Sequence, residues 1–324
     1  MKKANITVTT YGGYVGWTLR KYFSKYTSKA YIEWQYAVRK HLFKKYMLWF
    51  YSEIERKGSV PLPGLISIET INRCNNTCEF CPAGRKTESR PFKKMSEHLF
   101  YKIIKELKEL HYDGYLNLYV NNEPFMDTRI EDWYRYAKEQ LPDAKMLLYT
   151  NGLLLTKKRF DSVIPYIDKM IINNYAEELK LHDNIAYIYK YVKHAPILKE
   201  KDISIQIRYI KEILTNRAGA APNKMEKDYN HKRCVMPFTD FTIYPDGTVG
   251  LCCNDALEKT CYGNVNEQSV YEIWTSRQYE ILRKKIGKDR SLYTFCENCD
   301  FVDAGIRNMF MKKRMKSLGG GGTK

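Results

Sequence analysis

Between Leu65 and about Lys211 the chain alternates short apolar runs with segments of helical period, and this restricts its folds more than any other feature. Leu65–Thr70, Tyr115–Val120, Lys145–Tyr149, Lys169–Asn173 and Ile203–Ile210 read as strands. Between them, Ser96 can cap a helix whose Leu99, Phe100, Ile103, Ile104, Leu107 and Leu110 share one face. Thr128–Gln140, Thr156–Ile167 and Ala176–His194 read as further helices. Repeated strand–helix units require parallel strands joined by crossover helices. Five strands are visible and the pattern admits a sixth, fewer than the eight of a closed barrel. The expected class is α/β, a partial (β/α)6 TIM-like barrel. Its ligands should bind at the carboxyl ends of the strands.

The segment after the first strand reads Arg73-Cys-Asn-Asn-Thr-Cys-Glu-Phe-Cys-Pro82, with Cys74, Cys78 and Cys81 on one short loop. Thiolates spaced this closely can converge on one metal centre. A four-iron cluster takes four thiolates, so three local ligands leave one iron open for a substrate or cofactor. A zinc site would want a fourth cysteine or a histidine, and the nearest downstream histidine, His98, lies on an expected helix.

Cys-x3-Cys-x2-Cys with Phe80 before the third cysteine resembles the cluster loop of the radical S-adenosylmethionine (SAM) enzymes. The resemblance implies that Cys74, Cys78 and Cys81 bind a [4Fe–4S] cluster whose open iron chelates SAM. Reductive cleavage of SAM would then give a 5′-deoxyadenosyl radical that abstracts a substrate hydrogen. Asn121-Asn122-Glu123-Pro124, after the second strand, resembles the family's Gly-Gly-Glu-Pro segment, with both glycines replaced by asparagine. Thr150-Asn151-Gly152, after the third strand, resembles another segment of the SAM pocket. Alone, Asn-Gly is an ordinary turn; position after successive strands gives these segments weight. Phe80, Glu123, Pro124, Thr150, Asn151 and Gly152 are thus the expected SAM contacts. Arg208 can pair with the SAM carboxylate or stand as a surface arginine.

A second set follows: Cys234, Cys252, Cys253, Cys261, Cys296 and Cys299. Pro245-Asp246-Gly247 reads as a hairpin turn delivering Cys252 beside Cys234, and a helix returns the Cys296-x2-Cys299 knuckle. Cys234, Cys252, Cys296 and Cys299 suit a fully ligated second [4Fe–4S] cluster; structural zinc is the alternative. This half resembles the auxiliary-cluster domains called SPASM and twitch. No cysteine follows Cys299, which fits the shorter, one-cluster twitch form. In related epimerases a cysteine near that cluster returns a hydrogen atom to the substrate radical. Cys253 is the candidate for that role, with Asp255 as a local base; a plain small-hydrophobe reading of Cys253 stays open.

The expected organisation is 1–60 a basic amphipathic helical extension, 61–225 the barrel, 226–305 the auxiliary-cluster domain, and 306–324 a basic tail with a flexible glycine-rich end. Of the net charge of +17, residues 1–60 carry +9 and residues 304–324 carry +6. Such ends can attract an anionic membrane surface, nucleic acid or acidic substrate, or merely solvate the chain. The amphipathic segment 28–57 can lie on a membrane or pack on its own domain. No apolar run long enough to span a bilayer occurs, and the cysteine usage suits a reducing cytoplasm. The expected activity is C–H abstraction from a carbohydrate-type substrate, a sugar or aminocyclitol, giving epimerisation or two-electron dehydrogenation. The expected electron donor is of flavodoxin or ferredoxin type; nucleic acid is not an expected partner. Modification of a ribosomal peptide, and a non-enzymatic zinc or iron–sulfur protein, are the alternatives.

Overall fold

The computed structural model describes residues 5–10, 36–37, 39–194, 201–224, 233–301 and 305–316. Its strands are β1 (Asn5–Thr10), β2 (Leu65–Ile68), β3 (Tyr115–Asn117), β4 (Lys145–Thr150), β5 (Lys169–Ala176), β6 (Asp202–Tyr209), β7 (Asp240–Ile243) and β8 (Val249–Gly250). They form one sheet of order β1-β6-β5-β4-β3-β2-β7-β8, parallel except for the β7–β8 hairpin. The helices begin with α1 (residues 39–57), then α2 (Glu97–Glu109), α3 (Ile130–Gln140), α4 (Lys157–Val163) and α5 (Asp183–His194). After the barrel come α6 (Met236–Thr239), α7 (Val270–Thr275), α8 (Arg277–Lys288), α9 (Thr294–Glu297) and α10 (Gly305–Lys316).

Local chemistry explains where these elements start. Ser96 accepts a hydrogen bond from the Leu99 amide and caps α2, which buries Leu99, Phe100, Ile103, Ile104 and Leu107. Thr156 caps α4 in the same way. Ser269 and Glu272 form a reciprocal capping box on α7. Gly247 supplies the positive φ, +86°, that the β7–β8 turn requires.

The sheet is a partial, open barrel, and its sixth barrel strand comes from an unexpected place. Residues 5–10, assigned from sequence to a helical extension, form β1 and pair in parallel with β6 from Asn5↔Asp202 to Thr10↔Ile207. Ile-Thr-Val-Thr is β-branched, and its partner lies nearly two hundred residues away, so local periodicity does not reveal the pairing. The helical expectation holds further on. Within α1, Phe43, Tyr46, Met47, Trp49 and Phe50 are buried, and Phe50 meets Phe238 edge-on at 5.3 Å. The helix therefore packs on its own domain. Tyr31, Trp34 and Gln35 lie outside the described residues.

Nor does the sheet stop at the expected 225/226 boundary. β7 extends it beside β2, from Leu65↔Asp240 to Ile68↔Ile243. The basic tail is the other correction: residues 305–316 form α10, with Phe310 and Met311 buried. Alternating basic and apolar residues there read as solvated charge, but Arg307 Nε donates to both carboxylate oxygens of Asp240, at 2.8 and 2.7 Å. Arg314 pairs with Asp113. Residues 317–324, the glycine-rich end included, lie outside the described set. Breaking a buried pair by removing one partner strands the other charge, which costs roughly 3–5 kcal/mol. Arg307→Ala should therefore lower the denaturation midpoint by an amount equivalent to about 3 kcal/mol; an unchanged midpoint in chemical denaturation would show that α10 contributes nothing to the fold.

Candidate active site

The three-cysteine loop leaves the carboxyl end of β2 and is braced from both sides. The Glu123 amide donates to the Arg73 carbonyl at 2.9 Å, and the Glu79 amide to the Ile210 carbonyl beyond β6 at 3.2 Å. The loop closes on itself through Arg85 N to Asn76 O at 2.8 Å and Thr87 Oγ1 to Cys81 O at 2.6 Å. Cys74 Sγ accepts from the Asn76 amide at 3.5 Å and from Asn151 Nδ2 at 3.7 Å. Burial pushes the Cys74 thiol up to about 12 and raises Cys78 as well. A buried thiolate of this kind needs a metal centre to hold it ionised.

The donor set fits a four-iron cluster. Cys81 lies close enough to act on the Cys74 and Cys78 thiols, and two N–H groups already point at the Cys74 sulfur. Asn76 Nδ2 is buried with no protein partner, a spare donor within the loop. A depression of about 290 Å³, lined by Thr77, Cys78, Glu79, Lys86 and Pro222 among others, opens beside the loop.

The two strand-end segments form one unit. Glu123 Oε1 accepts from Thr150 Oγ1 at 2.6 Å and from the Phe125 amide at 3.2 Å; Oε2 accepts from the Asn151 amide at 2.7 Å. Pro124 opens the 3-10 turn that Glu123 caps. Burial lifts the Glu123 carboxyl to about 7. Gly152 sits at φ +77°, and a Cβ there would come within 2.6 Å of Ile185. Glu123 thus fixes Thr150-Asn151-Gly152, and Asn151 in turn reaches Asn75 Oδ1 at 2.8 Å and the Cys74 sulfur. Phe80 is buried against Tyr175, ring centroids 5.3 Å apart. Arg208 lies over the same tyrosine and donates from Nε to Glu212 at 2.6 Å.

In the second cysteine set, burial raises the thiols of Cys252, Cys296 and Cys299. Cys252 senses the charge of Cys296, Cys299 and Cys234, so all four meet in one region. The buried Arg290 guanidinium faces Cys234, Cys299 and Cys296 and donates to the Cys299 carbonyl at 2.9 Å. It suits the countercharge to an anionic cluster. Cys261 is exposed and stands apart.

Cys253 points elsewhere. Its carbonyl accepts from Asn121 Nδ2 at 3.2 Å and Arg217 Nη1 at 3.1 Å, and its sulfur lies 4.0 Å from Arg307 Nη2. Burial raises its thiol pKa, while Arg307 and Arg217 oppose the shift. Asp255 is an anchor in this geometry. Its carboxylate accepts from the Lys259 amide at 2.8 Å, the Thr260 amide at 2.7 Å and Thr260 Oγ1 at 2.6 Å, holding the 255–260 turn.

Four residues of this region escaped the sequence reading: Asn121 as a bridge, Arg217, Arg290 and Arg307. Asn121 shows in the sequence only as a departure from a glycine. An isolated arginine carries no spacing signal, so the other three become visible only when distant segments meet.

The comparisons with known proteins agree with this geometry. Residues 68–175 match the model of the radical SAM superfamily, and residues 234–300 that of the SPASM iron–sulfur cluster-binding domain. A S-adenosyl-L-methionine-dependent 2-deoxy-scyllo-inosamine dehydrogenase of Niallia circulans is 24% identical over 248 residues, spanning 76% of this chain and 96% of the relative. The crystal structure of BtrN in complex with AdoMet and 2-DOIA superposes with a TM-score of 0.65 at 25% identity, covering 75% of this chain and 94% of that one. Streptococcus suis SuiB bound to its precursor peptide SuiA matches with a TM-score of 0.50 at 13% identity, over 77% of this chain and 73% of that one. The last is a likeness of fold alone.

Proposed function

Starting from a chain that belongs to the radical SAM superfamily and carries a SPASM iron–sulfur domain behind its barrel, we propose that it dehydrogenates a carbohydrate-type substrate. The two domains bring two [4Fe–4S] clusters and SAM. Bound at Cys74, Cys78 and Cys81, the first cluster with SAM supplies the hydrogen-abstracting radical, and the second, at Cys234, Cys252, Cys296 and Cys299 in a one-cluster twitch arrangement, supplies an electron outlet. Everything else falls to the chain's own residues. Glu123 holds Thr150-Asn151-Gly152 as the rim of the SAM pocket, and Phe80 with Tyr175 walls the adenine side. Pro124 fixes the turn after Glu123. Arg208, which pairs with Glu212 here, would take the SAM carboxylate in exchange for or beside it.

One observation supports this reading most. Asn121 and Arg217, from the barrel side, both reach the Cys253 carbonyl of the second cysteine segment. The two cysteine sets thereby flank a single interior, as a substrate handled by both would require. The extent of the match to the dehydrogenase of Niallia circulans supports the carbohydrate class. The electron for SAM cleavage comes from outside the chain, and a flavodoxin- or ferredoxin-type donor fits. No helix among the described residues is long and apolar enough to cross a membrane.

Epimerisation is the second reading, favoured by the place of Cys253 between two arginines in that interior. Cys253→Ala separates the two. Under dehydrogenation the variant, turned over anaerobically in D2O, still forms deoxyadenosine and a carbonyl product at a rate within about threefold of the parent, with no deuterium on the product carbon. If product formation collapses while deoxyadenosine persists, Cys253 is the hydrogen donor and the enzyme is an epimerase.

A further inference from the structure

We propose that the substrate carries an anionic group, a phosphate or a carboxylate, and that Arg217 receives it. The proposal rests on the carbohydrate reading above and narrows its substrate class.

Arg217 occupies the space between the two cysteine sets. Its Nη1 donates to Asn121 Oδ1 at 3.0 Å and to the Cys253 carbonyl at 3.1 Å. Cys81, Tyr119 and Tyr175 lie near enough to act on its guanidinium. A substrate whose hydrogen is taken on the SAM side has to lie beside this side chain.

The charge balance at Arg217 differs from that of the cations around it. Neighbouring cations are matched: Arg208 by Glu212, Arg307 by Asp240, Lys224 by Asp300. Arg217 has neutral acceptors only; among the described residues no carboxylate pairs with it. A half-buried guanidinium with no carboxylate partner gains from an incoming anion. Nη1 is already used, which leaves Nε and Nη2 as the edge that can grip a phosphate or carboxylate through two parallel bonds.

The side chain is also held in advance. Arg217 and Ala218 both adopt positive φ, +50° and +55°, a conformation unfavourable for residues with a Cβ. Asn216 maintains it: its amide donates to Asp300 Oδ1 at 2.8 Å, and the Asp300 amide returns a bond to Asn216 Oδ1 at 3.2 Å. Asp300 follows Cys299 directly, so the second cysteine knuckle itself aims the arginine. The substrate of the Niallia circulans relative is by name an amine. An amine placed at this position would meet a like charge, so specificity here departs from that relative's.

The test uses the reconstituted protein with both clusters and SAM, and calorimetric binding of four probes: glucose 1-phosphate, glucuronate, glucose and glucosamine. One or both anionic probes should bind about 10- to 100-fold tighter than glucose, as expected for charge-assisted hydrogen bonds. Which of the two binds tighter distinguishes phosphate from carboxylate. Arg217→Gln should erase the preference while iron content stays at the parent level, and Arg217→Lys should keep part of it in a salt-sensitive form. The proposal is overturned if glucose and glucosamine bind as well as the anions, or if Arg217→Gln leaves the preference intact. Loss of iron from Arg217→Gln would also overturn it, because the guanidinium would then balance the clusters. Reductive SAM cleavage without any probe is scored separately: its absence sinks the radical SAM enzyme reading, whereas its presence without anion preference sinks only this one.

Discussion

Cys78→Ala, reconstituted anaerobically, should hold about four irons per chain instead of about eight and form no detectable deoxyadenosine on reduction. Cys78 is buried on a loop pinned at Arg73, Glu79 and Arg85. No other thiol can take its place, because the remaining cysteines belong to the second set or, like Cys261, stand exposed elsewhere. The second set should keep its metal, since its four thiols and Arg290 do not touch the first loop's hydrogen bonds. Cys261→Ala is the control and should match the parent in both iron and turnover. Iron measured with zinc in parallel checks the assignment. Full iron occupancy in Cys78→Ala, or zinc in place of iron in the parent, would refute the cluster reading of this loop.

Glu123→Ala should be nearly as damaging. Three donors, from Thr150, Asn151 and Phe125, would lose their acceptor inside the protein. Each buried group left unpaired costs about 1–3 kcal/mol, so the local loss for three is roughly 3–9 kcal/mol before any relaxation. SAM affinity should fall by about 10²-fold or more, read by equilibrium binding. Glu123→Gln keeps the shape and should fall less. The same carboxyl predicts a pH effect. Burial raises it from 4.5 to about 7, so the folded protein favours the neutral form. Its contribution to stability is therefore fully present below the unfolded value and is lost as pH rises through about 7. Thermal melting of the metal-free protein should weaken between about pH 5 and pH 8, with a shallower dependence in Glu123→Gln. A parallel dependence in both would place the titrating group elsewhere.

Local chemistry in the sequence carried much of this. Ser96 before an apolar stripe announced α2, Pro245-Asp246-Gly247 announced the hairpin, and the strand rhythm announced the parallel sheet. What stayed hidden is whatever depends on distant partners. β1 has ordinary strand residues, but the strand it pairs with lies far along the chain. α10 looks like solvated charge until Asp240 and Asp113 come into reach. Arg217 and Arg290 matter through the sulfurs, amides and carbonyls around them, which no spacing rule encodes. The cysteine sets were legible because metal ligands cluster along the chain as well as in space.

The pairing of β7 with β2 has a consequence for motion. β7, whose hairpin with β8 runs on to Cys252, lies in one ladder beside β2, the strand that precedes the Cys74 loop. The segments that carry the two cysteine sets are therefore tied to each other by backbone hydrogen bonds, as rungs tie the rails of a ladder. No hinge between halves of the molecule can part them without unzipping that pair. Under the proposed function, a substrate would then enter and leave by movement of loops at the rim, with the paired strands as the fixed frame.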